Sequence, residues 1–266
     1  MNDSNEHRTA LITGAASGLG AAMARRFYRS GWRVMIADRD EKGAQSLAGD
    51  LGDRASAVEM DVTRWADWER VRDEHDVPDV LVNNAGVAVG GSLEETSLED
   101  WRWVMDIDLM GVVAGCKAFA PLMRERGSGH IINVASFAGL AGAPQINAYG
   151  TAKAGVIAMS EMLRIELADA GVHVSALCPA FVRTRLTESM RAPDSSYHKR
   201  VERWMDNSGV SAEDVSEIVF EAVEKPRFLL LTHGNTRWLW RLKRFFPNLY
   251  YRMLVRGVRK AMQRKR

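Results

Sequence analysis

Cysteine is scarce in this chain: two residues, Cys116 and Cys178, among 266. Two thiols so far apart in sequence exclude a disulfide scaffold and a cysteine metal cluster, and they suit a reducing compartment. Their apolar neighbours mark both as small core side chains. The six histidines show no metal-ligand spacing with one another or with acidic residues, so no metal site is expected. No window approaches the roughly 20 apolar residues that span a bilayer. The first residues, Met-Asn-Asp-Ser-Asn-Glu-His-Arg, lack the basic and apolar stretches of a secretory leader. The expectation is a cytoplasmic protein. Repeats at solenoid spacing and low-complexity linkers are missing too.

Acidic residues vanish after Glu224. From Lys225 to Arg266 there are 13 Lys and Arg and no Asp or Glu. Residues 1–224 hold the other 23 basic and all 34 acidic residues, so the overall charge of +2 hides a body at −11 with a basic extension.

What is present, at 46% apolar residues, supports one sizeable core. Short apolar runs alternate with longer segments of helical period. Ala10–Thr13, Arg33–Ala37, Ala55–Glu59, Val80–Asn83, Ile131–Val134, Val172–Leu177 and Phe228–Thr232 read as seven strands. Runs apolar on both faces, separated by helices such as Ala21–Arg29, predict a parallel sheet covered on both sides. The fold class is therefore α/β: a single doubly wound Rossmann-type domain over residues 1–233, with a basic amphipathic helical C-terminal extension over 234–266.

The first strand runs into Thr13-Gly14-Ala15-Ala16-Ser17-Gly18-Leu19-Gly20. Glycines let the backbone turn sharply and approach a pyrophosphate, which the N–H groups and dipole of the next helix attract. A bare strand–helix turn is the plainer alternative. The strand before and the helix after favour a nucleotide loop, with Gly14, Ser17, Gly18, Leu19 and Gly20 in contact. Asp38 ends the second strand, 18 positions beyond Gly20. A carboxylate there accepts hydrogen bonds from the adenosine ribose and repels a 2′-phosphate, which favours NAD. Arg39 beside it could hold that phosphate, so NADP is not excluded. Asp61-Val62 and Asn84-Ala85-Gly86 follow the third and fourth strands at the carboxyl edge, where such sheets bind ligands. Turn chemistry explains the same residues, and the two readings are compatible.

Ser136 lies just past the fifth strand. Tyr149 and Lys153 stand at i and i+4 on the next helix, on one face. A free phenol titrates near pH 10, and an adjacent ammonium stabilises the phenolate. The pair makes a proton donor and acceptor, and a serine hydroxyl can hold the substrate oxygen.

Taken together, Thr13-Gly-x-x-x-Gly-x-Gly20, Asn83-Asn-Ala-Gly86, Ser136, Tyr149-x-x-x-Lys153 and Cys178-Pro179 through Thr184 resemble the short-chain dehydrogenases/reductases. The resemblance covers about residues 8 to 232. It implies a nicotinamide-dependent oxidoreductase acting on an alcohol or ketone. Tyr149 would be the general acid/base, Lys153 would bind the nicotinamide ribose and tune Tyr149, and Ser136 would orient the substrate oxygen. Thr184 and the backbone near Val182 would hold the carboxamide, and Pro179 would also touch the cofactor. Homodimers or homotetramers built on the two long helices flanking Ser136 are implied as well.

Two positions depart from the family. Ala180 stands where a glycine usually follows Pro179. Asp108, in Ile107-Asp108-Leu109-Met110-Gly111, stands where the family usually has an asparagine in a proton relay with the lysine. A carboxylate there can pair with Lys153, weaken its hold on the phenolate and raise the phenol's pKa. The expected pH optimum is then higher than that of an Asp108→Asn variant; the alternative is a neutral replacement.

Phe137 to Asn147 and Ala180 to Trp204 should line the substrate site. Phe137, Ile146, Phe181 and Met190, with Leu140, Pro144, Leu186, Tyr197 and Trp204, suggest an apolar or bulky alcohol or ketone. Lid or interface packing is the plainer explanation. In the extension, Trp238, Trp240, Leu242, Phe245 and Phe246 alternate with Arg237, Arg241, Lys243 and Arg244. After Pro247, an apolar stripe of Leu249, Met253, Leu254, Val258 and Met262 is expected. An oligomer or lid element is favoured, then peripheral contact with an anionic membrane, and last nucleic acid, for which no module is present. The competing function is a non-catalytic nucleotide-binding or scaffold protein of the same fold.

Overall fold

The computed structural model describes residues 8–263. Seven parallel strands form one sheet in the order β3-β2-β1-β4-β5-β6-β7. They are β1 (Thr9–Thr13), β2 (Arg33–Asp38), β3 (Ala55–Glu59), β4 (Val80–Asn83), β5 (Gly129–Val134), β6 (Val172–Cys178) and β7 (Leu229–Leu231). Every run read as a strand is one. The largest trimming is at the edge strand β7, where pairing with β6 covers only three residues. The helices are α1 (Gly18–Arg29), α2 (Glu41–Leu51), α3 (Trp65–Glu74), α4 (Leu98–Met105), α5 (Gly111–Arg126), α6 (Phe137–Ala141), α7 (Asn147–Glu166), α8 (Ser195–Asp206), α9 (Ala212–Glu224), α10 (Gly234–Phe245) and α11 (Pro247–Gln263).

Side chains alternate across a strand, so each apolar run feeds two cores. Leu11, Leu81, Ile131 and Val174 face α3, α5 and α7, where they meet Trp68, Val112, Phe119, Met123 and Val156. Ile12, Ile36, Val82, Ile132 and Leu177 face the other side, against Met23 and Phe27 of α1, Leu47 of α2 and Val219 of α9. Fully burying one such side chain contributes about 1.5–3 kcal/mol. The strand order reverses direction between β1 and β4, and a crevice opens there at the carboxyl edge.

The extension is two helices laid on α6. The Tyr250 hydroxyl donates to the Ala141 carbonyl at 3.0 Å, and Lys243 Nζ donates to the Leu140 carbonyl. The expected single stripe on α11 divides. Leu254 and Val258 are half-buried beside buried Tyr250, whereas Leu249 and Met253 are exposed. Met262 falls outside the described side chains. The stripe divides because Tyr250, which the periodicity omitted, is the anchor, and it turns the helix away from the face that Leu249 and Met253 share.

Candidate active site

The glycine loop is locked to the end of β4. Thr13 Oγ1 accepts from the backbone N–H groups of Asn84 and Ala85, both at 3.0 Å. Asn84 Nδ2 donates to the carbonyls of Thr13 at 2.8 Å and Gly14 at 3.1 Å. Gly14 sits at φ +63, and a Cβ there would lie 2.7 Å from the Ala85 Cα. Gly20 works differently from its neighbours: it does not line the cleft. A Cβ on it would come 2.7 Å from Asn84 Nδ2, so this glycine lets α1 close on the loop.

A cleft of about 430 Å³ runs along the carboxyl edge. Gly14, Ser17, Gly18, Leu19, Asp38, Arg39, Asp61, Val62, Asn84, Ala85, Gly86, Asp108, Ser136, Tyr149, Lys153, Pro179, Val182 and Thr184 all line it. Of the nucleotide and catalytic residues read from the sequence, Gly20 alone is set back. The cleft fits a dinucleotide on two observations. Ser17 caps α1 with no side-chain hydrogen bond and the first turn has no acidic residue, so the helix offers N–H donors and a positive end to an anion. Asp38, at the end of β2 on the cleft wall, is fixed by two backbone donors, Ala16 at 3.0 Å and Asp40 at 2.9 Å, so a carboxylate is held where hydroxyl groups of a ligand could donate to it. Asp61 also holds its own turn, accepting from the Thr63 N–H at 2.9 Å and hydroxyl at 2.7 Å. Asp40, Met60, Val87, Ile107, Glu188, Ser189 and Met205 line the cleft as well, and no spacing rule marked them.

At the other end of the cleft, Ser136 caps α6, accepting from the Ala138 N–H at 3.1 Å. Tyr149 is on the first turn of α7 and Lys153 one turn on, its Nζ 5.9 Å from the Tyr149 ring centroid. Lys153 donates to the Val134 carbonyl at 2.9 Å and lies 3.2 Å from Asp108 Oδ2. Asp108 is fully buried. It sits in a π-helical turn, Asp106–Met110, where the Gly111 N–H reaches back to the Asp106 carbonyl. Its Oδ1 accepts from the Val87 N–H at 2.8 Å; its Oδ2 faces the ammonium but has no aligned hydrogen bond.

Burial raises the Asp108 pKa, against the opposing pull of Lys153 and the Val87 N–H. Burial opposes charge on Lys153 as well, but Asp108 and Tyr149 together hold its pKa above the usual lysine value. The Tyr149 phenol is raised, first by burial and then by Asp108, with Lys153 and the Ser136 hydroxyl pulling the other way. The carboxylate–lysine pairing expected from the sequence is thus in place. Cys178 and Cys116 are free and buried, with burial pushing both thiols up to about 12, so neither is a nucleophile at neutral pH.

The four substrate candidates do not line the cleft. Met190 is buried against Ala88 and Tyr197. Phe181 is exposed and packs on Trp204 at 5.0 Å between centroids. Ile146 bridges Gly91 through its backbone, and Phe137 is half-buried in the first turn of α6. Of the wider set, Leu186 alone lines the cleft. Residues 180–194 contain only one short 3₁₀ turn, Arg185–Thr187, so periodicity could not say which side chains face inward. Among the described residues no His, Cys, Asp and Glu cluster could hold a metal.

Comparison with known proteins agrees with this geometry. The family model described as short chain dehydrogenase matches residues 8–195. The chain belongs to the short-chain dehydrogenase/reductase family. It is 32% identical over 252 residues to the protein named Probable oxidoreductase EphD of Mycobacterium tuberculosis, covering 89% of this chain. The chain spans only 43% of the length of that relative. It is 36% identical over 241 residues to 1-deoxy-11-beta-hydroxypentalenate dehydrogenase of Streptomyces exfoliatus, covering 86% of this chain and 84% of that protein. A solved short chain dehydrogenase/reductase from Burkholderia phymatum, in complex with NAD, superimposes with a TM-score of 0.86. It is 32% identical and covers 91% of this chain and 95% of its own.

Proposed function

We propose that this chain is an oxidoreductase that transfers a hydride between a nicotinamide dinucleotide and the CH–OH or ketone carbon of a small molecule. One observation carries the reading: Ser136, Tyr149 and Lys153 meet at one end of a continuous cleft whose other end is the Gly14–Leu19 loop and Asp38. A bound nicotinamide supplies the hydride acceptor or donor. The chain supplies everything else. Tyr149 takes the alcohol proton in oxidation and returns it in reduction. Lys153 has three N–H donors; the Val134 carbonyl accepts one and Asp108 faces the ammonium as an ion-pair partner at 3.2 Å, so donor capacity remains for the cleft. The Ser136 hydroxyl can hold the substrate oxygen: its contact with the Pro179 carbonyl is long, at 3.5 Å, and it faces the Tyr149 phenol.

Asp38, with Asp40 beside it, disfavours a 2′-phosphate, so NAD is the preferred cofactor and NADP the weaker one. The NAD in the Burkholderia relative supports this. Val87, Ile107, Leu186 and Met205 give the substrate end an apolar lining suited to an uncharged alcohol or ketone. The name of the Streptomyces relative, a hydroxypentalenate dehydrogenase, fits that class. Met162 and Ile165 are exposed on α7, which supports pairing of copies through α5 and α7 as a homodimer or homotetramer. The buried free thiols support a cytoplasmic setting.

The test is absorbance at the reduced-nicotinamide band with NAD or NADP and a panel of apolar secondary alcohols. Tyr149→Phe should lower turnover by about 10²–10⁴-fold while NAD still binds. Binding of NAD without turnover of any panel member by the wild-type chain would favour the scaffold reading.

A further inference from the structure

We infer that α10 and α11 form a docking face for an anionic phospholipid surface. The two helices hold to the body by one side only, through buried Thr236 and Tyr250 and half-buried Lys243. Their other side is open. On α10, Arg237, Trp238, Arg241, Arg244 and Phe245 are all exposed. At 3.6 residues per turn they share one face, aromatic and cationic side chains interleaved. On α11, exposed Leu249, Met253 and Val255 alternate with exposed Arg252, Arg256 and Arg259. Among the described residues none of these six arginines pairs with a carboxylate.

Charge selects the occupant. The last acidic residue is Glu224, whereas residues 1–224 carry a net −11. An anionic sheet therefore attracts this end of the molecule and repels the remainder, which fixes the orientation. A second copy meeting this face through a two-fold axis would set two arginine-rich surfaces against each other. Nucleic acid would leave Leu249, Met253 and Val255 with nothing apolar to cover them. A headgroup region accommodates both kinds of side chain at one depth: guanidinium at phosphate, Trp and Phe at the boundary, aliphatic groups at the acyl edge. Among the described residues no helix is long and apolar enough to cross a membrane, so the face lies on the surface. It also rests directly on α6, the helix capped by Ser136, which places the site one element from the lipid.

The test is co-sedimentation of the full chain with sucrose-loaded vesicles, of phosphatidylcholine alone or with a third phosphatidylglycerol. The protein should sediment with the second and not the first, and raising salt from about 0.1 to about 0.5 M should release it. Changing Arg237, Arg241 and Arg244 together to Gln should weaken partition on the order of 100-fold. Trp238→Ser with Phe245→Ser should weaken it too, with all charges kept. Thermal midpoint and far-UV circular dichroism of both variants should match wild type, since none of these side chains is buried. Equal sedimentation with the two vesicle types would overturn the inference. So would arginine variants that lower the subunit mass in solution while leaving partition unchanged, which would make the face a contact between copies. The assay needs neither cofactor nor turnover, so its result is independent of the proposed activity.

Discussion

Replacing Asp108 by Asn removes one buried negative charge and keeps an acceptor for the Val87 N–H. In the native site the Lys153 ammonium is 5.9 Å from the Tyr149 ring and 3.2 Å from Asp108 Oδ2. Taking the 5.9 Å between the ammonium and the ring centroid as the charge separation, and an effective dielectric constant near 20, the lysine stabilises the phenolate by about 3 kcal/mol, or about 100-fold in equilibrium. Asp108 cancels part of that field, and its own charge also holds the phenol's pKa up. Alcohol oxidation needs the phenolate, so its rate climbs as pH rises through the phenol's pKa. Removing the carboxylate lowers that pKa, and the limb moves to lower pH. At a fixed pH on the limb, oxidation by the variant should be several-fold faster, bounded above by about 100-fold. The bound is not reached, because Lys153 loses the partner that keeps it charged against burial.

The assay is the pH profile of kcat/KM for oxidation, wild type against Asp108→Asn, with thermal midpoints measured alongside. Asp108→Ala separates charge from hydrogen bonding: it leaves the buried Val87 N–H unpaired, at a further cost of about 1–3 kcal/mol in stability. Superimposable profiles, or a limb displaced to higher pH, would refute the reasoning.

His130 should make the fold acid-sensitive. Ser175 Oγ donates to the Arg227 carbonyl, so His130 Nε2 donates to Ser175, and the buried Nδ1 has no partner. Burial, with a smaller push from His173, lowers its pKa from 6.5 to about 4. Its contribution is complete above pH 6.5 and is lost as pH falls toward 4, about 3 kcal/mol in all; denaturant titrations should show that slope shrink in His130→Gln. Gly14→Ala should lower NAD affinity at least about tenfold by calorimetry and reduce the melting temperature, since φ +63 costs an L-residue about 1–2 kcal/mol before its Cβ meets Ala85. Asp38→Ala should raise the KM for NAD and move the NADP/NAD preference toward NADP by at least about tenfold, measured as a ratio of kcat/KM.

The sheet was legible because the strands at its centre, β1, β2, β4, β5 and β6, are buried on both faces, whereas the edge strand β3, Ala-Ser-Ala-Val-Glu, buries only Val58 fully. The nucleotide end was legible because Gly14, Gly18 and Asp38 are constrained by backbone geometry and reach, which spacing records directly. Gly20 shows the limit of spacing: the motif contains it, but its task is helix–loop packing beneath the cleft. The substrate end was not legible. Residues 180–194 fold back without a regular period, so an apolar tally there mixes cleft-facing Leu186 with buried Met190 and exposed Phe181.

Asp108 shows what sequence can and cannot carry. The substitution in an otherwise intact motif was enough to raise the question of a pair with Lys153. It could not show the turn that makes the pair. One residue more than an α-turn, at Asp106–Met110, swings Asp108 inward between Val87 and Lys153, where a regular helix would hold a different register. Its Oδ1 is fixed by the Val87 N–H, so the carboxylate cannot rotate away without leaving a buried donor unpaired. The charge is therefore held against the lysine by the backbone and not by the lysine alone. Neutralising Lys153 in a Lys153→Met variant should leave Asp108 in place but shift it strongly toward the protonated form, because burial already favours that form and its main counter-charge would be gone. The infrared carboxyl band of the two proteins at neutral pH reports this: a protonated-acid band in Lys153→Met that vanishes in Lys153→Met/Asp108→Asn is the expected result, and an unchanged spectrum would show that water, not the fold, surrounds the pair.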